Sequence, residues 1–159
     1  MAESEGKKAS DSYTEREYIV QTEHLNSMGT LFGGQLMSWM DAAAGAAGIR
    51  YSSMPVTMVA VDDMQIKAPA YPGDKLVYKS RVTHVGTTSM EILVEIDIED
   101  TDKGRRTISQ AYFIGVALDD DGRPAPAPPL LVETSEEQKH WEDAEKRKAL
   151  RAKRREMGI

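Results

Sequence analysis

Apolar residues recur along this chain in two rhythms, and the change from one to the other separates a helix from a sheet. From about Gly34 to Tyr51, Leu36, Met40, Ala43 and Ala47 follow the i, i+4, i+7, i+11 spacing of one helical face. Pro55 shows that the helix has ended by then. From Val56 the period drops to two. Val56 to Ile66 and Lys75 to Val85 read as strands, as does Met90 to Glu99, where Met90, Ile92, Val94, Ile96 and Ile98 face one way and Glu91, Glu95, Asp97 and Glu99 the other. That alternation predicts one buried and one wet face. Thr107 to Leu118 is a last strong strand, and Arg16 to Thr22 a short one before the helix. Tyr71-Pro72-Gly73-Asp74, Gly86-Thr87-Thr88 and Asp119 to Pro124 supply the turns. Five strands with short connections and one early helix predict an α+β domain, an antiparallel sheet wrapped around that helix. No internal repeat is visible.

The two ends do not share this patterning. Residues 1–12 are small and charged, which predicts a disordered tail. The domain then runs over 13–132, and 133–159 form a charged C-terminal helix. Ser135 and Gln138 have the form of a capping box at its start. Its last turns carry Lys146, Arg147, Lys148, Arg151, Lys153, Arg154 and Arg155. The ordinary reading of such a run is a solvated helix; the alternative is attraction of a polyanion. Asp62 and Asp63, adjacent in an otherwise apolar strand, mark a bulge, an exposed end or the edge of a site.

Composition narrows the chemistry. A chain of 159 residues, 40% hydrophobic, suffices for one domain with a modest core. A net charge of −6 argues against a nucleic-acid binder. With no cysteine, disulfides, thiolate metal sites and cysteine nucleophiles are excluded. Neither a signal-peptide core nor a membrane-length apolar run is present, so a soluble cytoplasmic protein without membrane insertion is expected. The chain lacks G-x-S-x-G, P-loop and G-x-G-x-x-G motifs, and His24, His84 and His140 are too scattered for a metal site.

What chemistry remains lies between His24 and Arg50. Opposite the apolar stripe of the helix runs a stripe of small residues, Gly34, Ser38, Asp41, Gly45 and Gly48. Glycine inside a helix costs about 1 kcal/mol relative to alanine, so this stripe predicts a close approach by another backbone or a ligand. Asp41 sits in its midst, a poor helix-interior residue among apolar neighbours. Local chemistry leaves open whether it is exposed, structurally paired or functional. Gly33-Gly34 is either a tight turn or a helix N-terminus able to steady an oxyanion, and Asn26 either caps its loop or orients water or a carbonyl. Together a carboxylate, an amide and a helix N-terminus suit hydrolysis.

The runs Asn26-Ser27-Met28-Gly29-Thr30-Leu31-Phe32-Gly33-Gly34 and Leu36-Met37-Ser38-Trp39-Met40-Asp41 closely resemble the acyl-coenzyme A hydrolases of the hotdog-fold thioesterases, both bacterial broad-range and brain-type. Pro72-Gly73-Asp74, Gly86-Thr87-Thr88-Ser89 and Asp121-Gly122-Arg123-Pro124 extend the resemblance over about Arg16 to Leu131. It implies a hotdog fold, a long helix wrapped by a curved antiparallel sheet. It also implies homodimers, commonly assembled into hexamers, with acyl-CoA as substrate and no cofactor or metal beyond it. Asp41 would be the catalytic carboxylate, buried at the seam between two copies, with Asn26 supplied by the other subunit. The backbone N–H at Gly34 or its neighbour would polarise the thioester. Gly33, Val59, Ala60, Val61, Gly86, Thr87, Thr88 and Ser89 would line the substrate path, and Phe32, Met37, Trp39, Met54 and Met58 would be pocket walls or plain core. The doubled acid at Asp62-Asp63 departs from the family pattern, and the basic helix lies outside the shared core, where the phosphates of coenzyme A are its candidate ligand. Two rival readings stand beside hydrolysis: a hotdog hydratase or dehydratase, for which only His24 could serve, and a non-enzymatic acyl-CoA sensor.

Overall fold

A computed structural model of the chain describes residues 5–159. The elements in order are β1 (Lys7–Lys8), a 3-10 turn (Ala9–Ser12), β2 (Thr14–Ile19), a second 3-10 turn (Thr22–His24), α1 (Gly33–Ser52), β3 (Val56–Ile66), β4 (Lys75–Val85), β5 (Ser89–Asp100), β6 (Gly104–Ala117), β7 (Leu130–Leu131) and α2 (Ser135–Met157). Five strands form one antiparallel sheet in the order β2-β4-β5-β6-β3, and β1 pairs in parallel with β7. The five predicted strands and the helix they wrap are all present.

The helical stripe does what its spacing predicts. Leu36, Met40, Ala43 and Ala47 are buried against Met90, Ile92, Val94 and Ile96 of β5 and the inner residues of β4 and β6. Ser80 Oγ donates to the Ala43 carbonyl at 2.9 Å, tying β4 to the middle of the helix. The turn at Tyr71 to Asp74 closes as its residues require. Gly73 takes φ +88°, and Asp74 Oδ2 accepts from the Tyr71 N–H at 2.8 Å.

Three expectations change. The N-terminal tail was expected to be disordered over residues 1–12, but 5–12 are held in place; residues 1–4 lie outside the described part. Lys7 Nζ donates to the Tyr51 carbonyl at 2.8 Å, capping the C-terminus of α1, and Arg50 reaches the Tyr13 carbonyl at 2.8 Å. The pairing of β2 with β4 starts at Thr14 opposite Ser80, and the next inward-pairing N–H of β4, that of Val82, is taken by the fully buried Ser12 Oγ at 2.8 Å.

The outer face of β5 is not wet. Glu91, Leu93 and Asp97 are buried there; Arg147 of α2 lies against Glu91, and Asp97 is satisfied by one hydrogen bond from Thr107 and an ion pair with Lys79. The box that caps α2 sits one residue earlier than expected. Thr134 Oγ1 accepts from the Glu137 N–H at 3.1 Å, while the Glu137 carboxylate accepts from the N–H groups of Glu133 and Thr134.

The acidic pair in β3 does mark a bulge. The register against β6 shifts between Asp62 and Gln65, Asp63 takes φ +47°, and Asp62 turns to the outer face, where Arg151 donates to it at 3.0 Å.

Candidate active site

The loop before α1 is built around Asn26. Its Oδ1 accepts from the backbone N–H groups of Met28, at 2.9 Å, and Thr30, at 3.2 Å. Gly29 closes the turn at φ +78°, with its N–H on the Asn26 carbonyl. Two backbone donors fix which end of the amide is oxygen. Nδ2 then donates one hydrogen to Thr30 Oγ1 at 3.0 Å, and its second hydrogen has no acceptor among the described residues. Asn26 therefore does cap its loop, and the same geometry leaves one amide N–H pointing free. Thr30, which sequence reasoning passed over, is what holds that direction.

His24 Nδ1 accepts from the Gln21 N–H at 3.0 Å, and the ring stands edge-on to Trp39, 4.8 Å between centroids. Trp39 stacks in turn on Tyr18 at 4.4 Å. Trp39, Met54 and Met58 pack against the core, whereas Phe32 and Met37 are exposed.

Helix α1 begins without a side-chain cap. Phe32 holds the cap position, and the first intrahelical bond runs from the Leu36 N–H to the Phe32 carbonyl. Among the described residues, the N–H groups of Gly33, Gly34 and Gln35 have no acceptor, as the first turn of any uncapped helix leaves them. A side chain at Gly34 would strike the ring of Phe32. Asp41 lies two turns further on. It is exposed in the single chain and has no hydrogen bond or ion pair among the described residues. The small stripe is only partly as expected. Among the described residues nothing approaches Gly45, but Gly48 turns inward, where a Cβ would meet Ile92 at 3.1 Å and Val56 at 3.3 Å. Gly48 is small to let β3 and β5 close on the helix.

The two expected substrate-path segments are distant in sequence and lie on one side and the other of β6 in the sheet. Ala60 pairs with Ile114 of β6, and Ile114 with Glu91 of β5; two residues further along β6, Val116 pairs with Thr57 on one side and Ser89 on the other. Strands spaced about 4.8 Å apart put the β3 segment about 10 Å from the hairpin at Gly86 to Ser89. β3 is a sheet edge, and Val59 and Val61 on it are exposed, at 59% and 42%. Cavities of about 260, 230 and 220 Å³ lie around β4, β5 and α2, and Asp41 lines none of them; Ser89 alone of the expected residues lines one.

The outer face holds polar residues that the sequence reading did not single out. Glu91, 3% exposed, takes two hydrogen bonds from Arg147, whose guanidinium also lies 3.6 Å from the centre of the Tyr112 ring. The buried His84 bonds to Glu145, which holds that carboxyl below the usual glutamate range, and lies against Trp141 at 4.1 Å. Glu91 broke no alternation, so only its partner four turns into a basic helix could have flagged it.

Residues 28–104 match the thioesterase superfamily. The chain is 36% identical over 113 residues to an uncharacterised acyl-CoA thioester hydrolase of Bacillus subtilis, covering 70% of this chain and 66% of that protein. It is 37% identical over 114 residues to one of Zymomonas mobilis, covering 70% of this chain and 76% of that protein. An acyl-CoA hydrolase from Staphylococcus aureus, solved in complex with coenzyme A, superimposes with a TM-score of 0.92 at 29% identity, covering 98% of this chain and 93% of that one. An apo-hexameric acyl-CoA thioesterase does so with a TM-score of 0.90 at 30% identity, covering 94% and 97%. With an unpaired carboxylate on the wrapped helix and relatives of this kind, the chain belongs to the hotdog-fold acyl-CoA thioester hydrolases of the thioesterase superfamily.

Proposed function

We propose that the protein hydrolyses acyl-CoA to a free carboxylic acid and coenzyme A, at a site made by two subunits. One observation carries this reading. No buried side-chain polar atom among the described residues lacks a partner, yet the groups hydrolysis needs stand unclaimed: the Asp41 carboxylate, one Asn26 amide hydrogen and the first amides of α1.

These groups cannot meet within one chain. A rise of about 1.5 Å per residue separates Gly34 from Asp41 by about 10 Å along the helix axis, further than an aspartate side chain reaches. Two copies of α1 running antiparallel bring the helix start of one beside the carboxylate of the other, and Gly45 leaves room for that approach. The exposed β3 edge beside it offers backbone groups for sheet pairing between copies. Asp41 then faces Asn26 of the partner subunit, and the amide at Gly34 faces the thioester oxygen.

In this arrangement the amides of Gly34 and its neighbour steady the oxyanion as it forms. Asp41 either deprotonates the attacking water or attacks the carbonyl itself to give an anhydride that water opens. The carbon–sulfur bond breaks, and the thiolate leaves with the proton released from water. A single turnover in labelled water separates the two routes, since only the anhydride places label in Asp41. No metal or redox cofactor enters the balance. Val59 to Val61, with Gly33 and the hairpin from Gly86 to Ser89, line the substrate path in this reading. By analogy with the hexameric relatives, the dimers assemble into a hexamer, and the protein works in the cytoplasm.

His24 is a poor candidate for hydratase chemistry, with Nδ1 already on the Gln21 N–H. Thiol release from a panel of acyl-CoAs of rising chain length tests the proposal. Wild type should release thiol and Asp41→Asn should be slower by about 10²–10⁴-fold, the usual range for losing a general base. An Asp41→Asn protein as fast as wild type would sink it.

A further inference from the structure

Strand β3 is fastened to the sheet unevenly. Its register against β6 breaks twice, between Met58 and Ala60 and between Asp62 and Gln65, so Ala60, Val61 and Asp62 form a short paired run with an irregularity at each end. Either side of that run the strand has other anchors. Val56 and Met58 pack on the core, and past the second break Ser109 Oγ donates to the Gln65 carbonyl at 2.7 Å. The run itself lies at the sheet edge, with a neighbouring strand of its own chain on one side only.

Asp62 is what holds it from the outer face. Its buried carboxylate accepts from Arg151 Nη1 at 3.0 Å and from Arg154 Nη2 at 3.5 Å. Arg151 also stands 3.8 Å from Glu91 of β5. Since β6 lies between β5 and β3, one guanidinium reaches over a strand and ties the edge to a carboxylate that Arg147 and Thr83 already fix. Docking α2 does not need this contact. Arg147 on Glu91, Glu145 on His84 and Glu136 on Arg81 attach the helix to β4 and β5. Among the described residues, Asp62 is the one β3 side chain with which α2 forms an ion pair.

We propose that Asp62 is a positioning residue: gripped by Arg151 and Arg154, it sets the place of the Val59–Asp62 backbone, and through it α2 governs how firmly the substrate is held. This role in turnover rests on the acyl-CoA reading above, in which Val59 to Val61 line the substrate path. Asp41 and Asn26 stand on α1 and the loop before it, so loosening the grip raises KM and leaves kcat alone.

Hydrogen exchange and steady-state kinetics on the full-length protein test this together. In Asp62→Asn, which keeps the side chain's shape, the amides of residues 59–64 should exchange about tenfold faster and KM for one acyl-CoA should rise about tenfold, the scale of a lost charge-assisted contact. Exchange over 75–85 and kcat should match wild type. Arg151→Met should behave alike, and the double variant should be no worse than either single one, because the two groups act as a unit. Arg151→Lys keeps the charge and should recover most of the loss. Arg81→Met, which removes a contact of α2 with β4, should change neither quantity. A higher KM in Arg151→Met without one in Asp62→Asn would make the arginine a charge that attracts substrate and would overturn the positioning role. Unchanged exchange over 59–64, faster exchange with an unchanged KM, or an equal effect of Arg81→Met would overturn it too. Wild type that releases no thiol, with the exchange difference intact, defeats the hydrolase reading and leaves the grip on β3 standing.

Discussion

Arg147 grips Glu91 with two hydrogen bonds, of 2.7 and 3.0 Å, across the outer face of the sheet. Glu91 is 3% exposed, so α2 is docked on the domain by a buried charge pair rather than left as a solvated tail. Removing Arg147 takes from the buried Glu91 its bidentate countercharge and leaves it only Thr83 Oγ1 at 2.7 Å and the more distant Arg151. Arg147→Met should therefore destabilise the protein by about 3–5 kcal/mol, toward the lower end because Arg151 stands 3.8 Å from the same carboxylate. Adding Glu91→Leu should recover much of the loss. Urea unfolding of the two variants checks this, and a double variant as unstable as the single would show that the pair is not what holds the helix down.

Thr30 has a single role in this account, to orient the Asn26 amide. Thr30→Val keeps the shape and removes the hydroxyl. With Asn26 misaimed toward the partner's site, kcat should fall about tenfold, the scale expected for a misoriented catalytic group, while KM and the melting temperature stay near wild type. Thr30→Ser should restore kcat. Steady-state kinetics on one acyl-CoA decides it, since a merely structural role would lower the melting temperature and leave the surviving enzyme's kcat intact.

Two phenols set an alkaline limit. Burial pushes the pKa of Tyr51 and of Tyr78 well above the usual tyrosine value, and Tyr51 Oη donates to the Pro128 carbonyl at 2.9 Å. A folded pKa above the unfolded one means stability is fully present below the unfolded value of about 10 and is lost as pH rises above it. The melting temperature should hold to about pH 9.5 and fall steeply above pH 10. Ultraviolet titration should find at least two of the six tyrosines silent until the protein unfolds. Tyr51→Phe removes one hydrogen bond at a cost of about 1 kcal/mol and should flatten the alkaline fall.

The helix and the five strands were legible because each has one face packed on the other, and burial writes itself into the sequence as a period. Leu36, Met40, Ala43 and Ala47 are the clearest instance. Interactions made by polar residues with backbone leave no such period. Lys7 on the Tyr51 carbonyl and Ser12 on the Val82 amide therefore turned a tail that read as disordered into an ordered one. The box capping α2 was misplaced by one residue because Thr134-x-x-Glu137 and Ser135-x-x-Gln138 both fit the pattern, and the carboxylate bonds two backbone amides where the neutral amide makes none. The alternation of β5 correctly named the inner face but not what covers the outer one, since Glu91 looks the same in sequence whether water or Arg147 meets it. Within the candidate site, the helix start at Gly33-Gly34 and the loop cap at Asn26 were readable from their residue types. Asp41 is exposed in one chain, and on the two-subunit reading proposed above the second copy of α1 is what would cover it.

That second copy gives the most direct test. Asp41→Asn and Asn26→Ala are each expected to be nearly inactive in thiol release. If every site takes Asp41 from one subunit and Asn26 from its partner, a mixed dimer carrying one variant in each subunit holds one doubly altered site and one intact site. Co-expressing the two variants with different tags and isolating the mixed species should then restore about half of the wild-type rate per dimer, as two-fold symmetry of the sites requires. A mixed species no more active than either parent, although both tags are present and the fold is intact, would contradict a site shared between subunits.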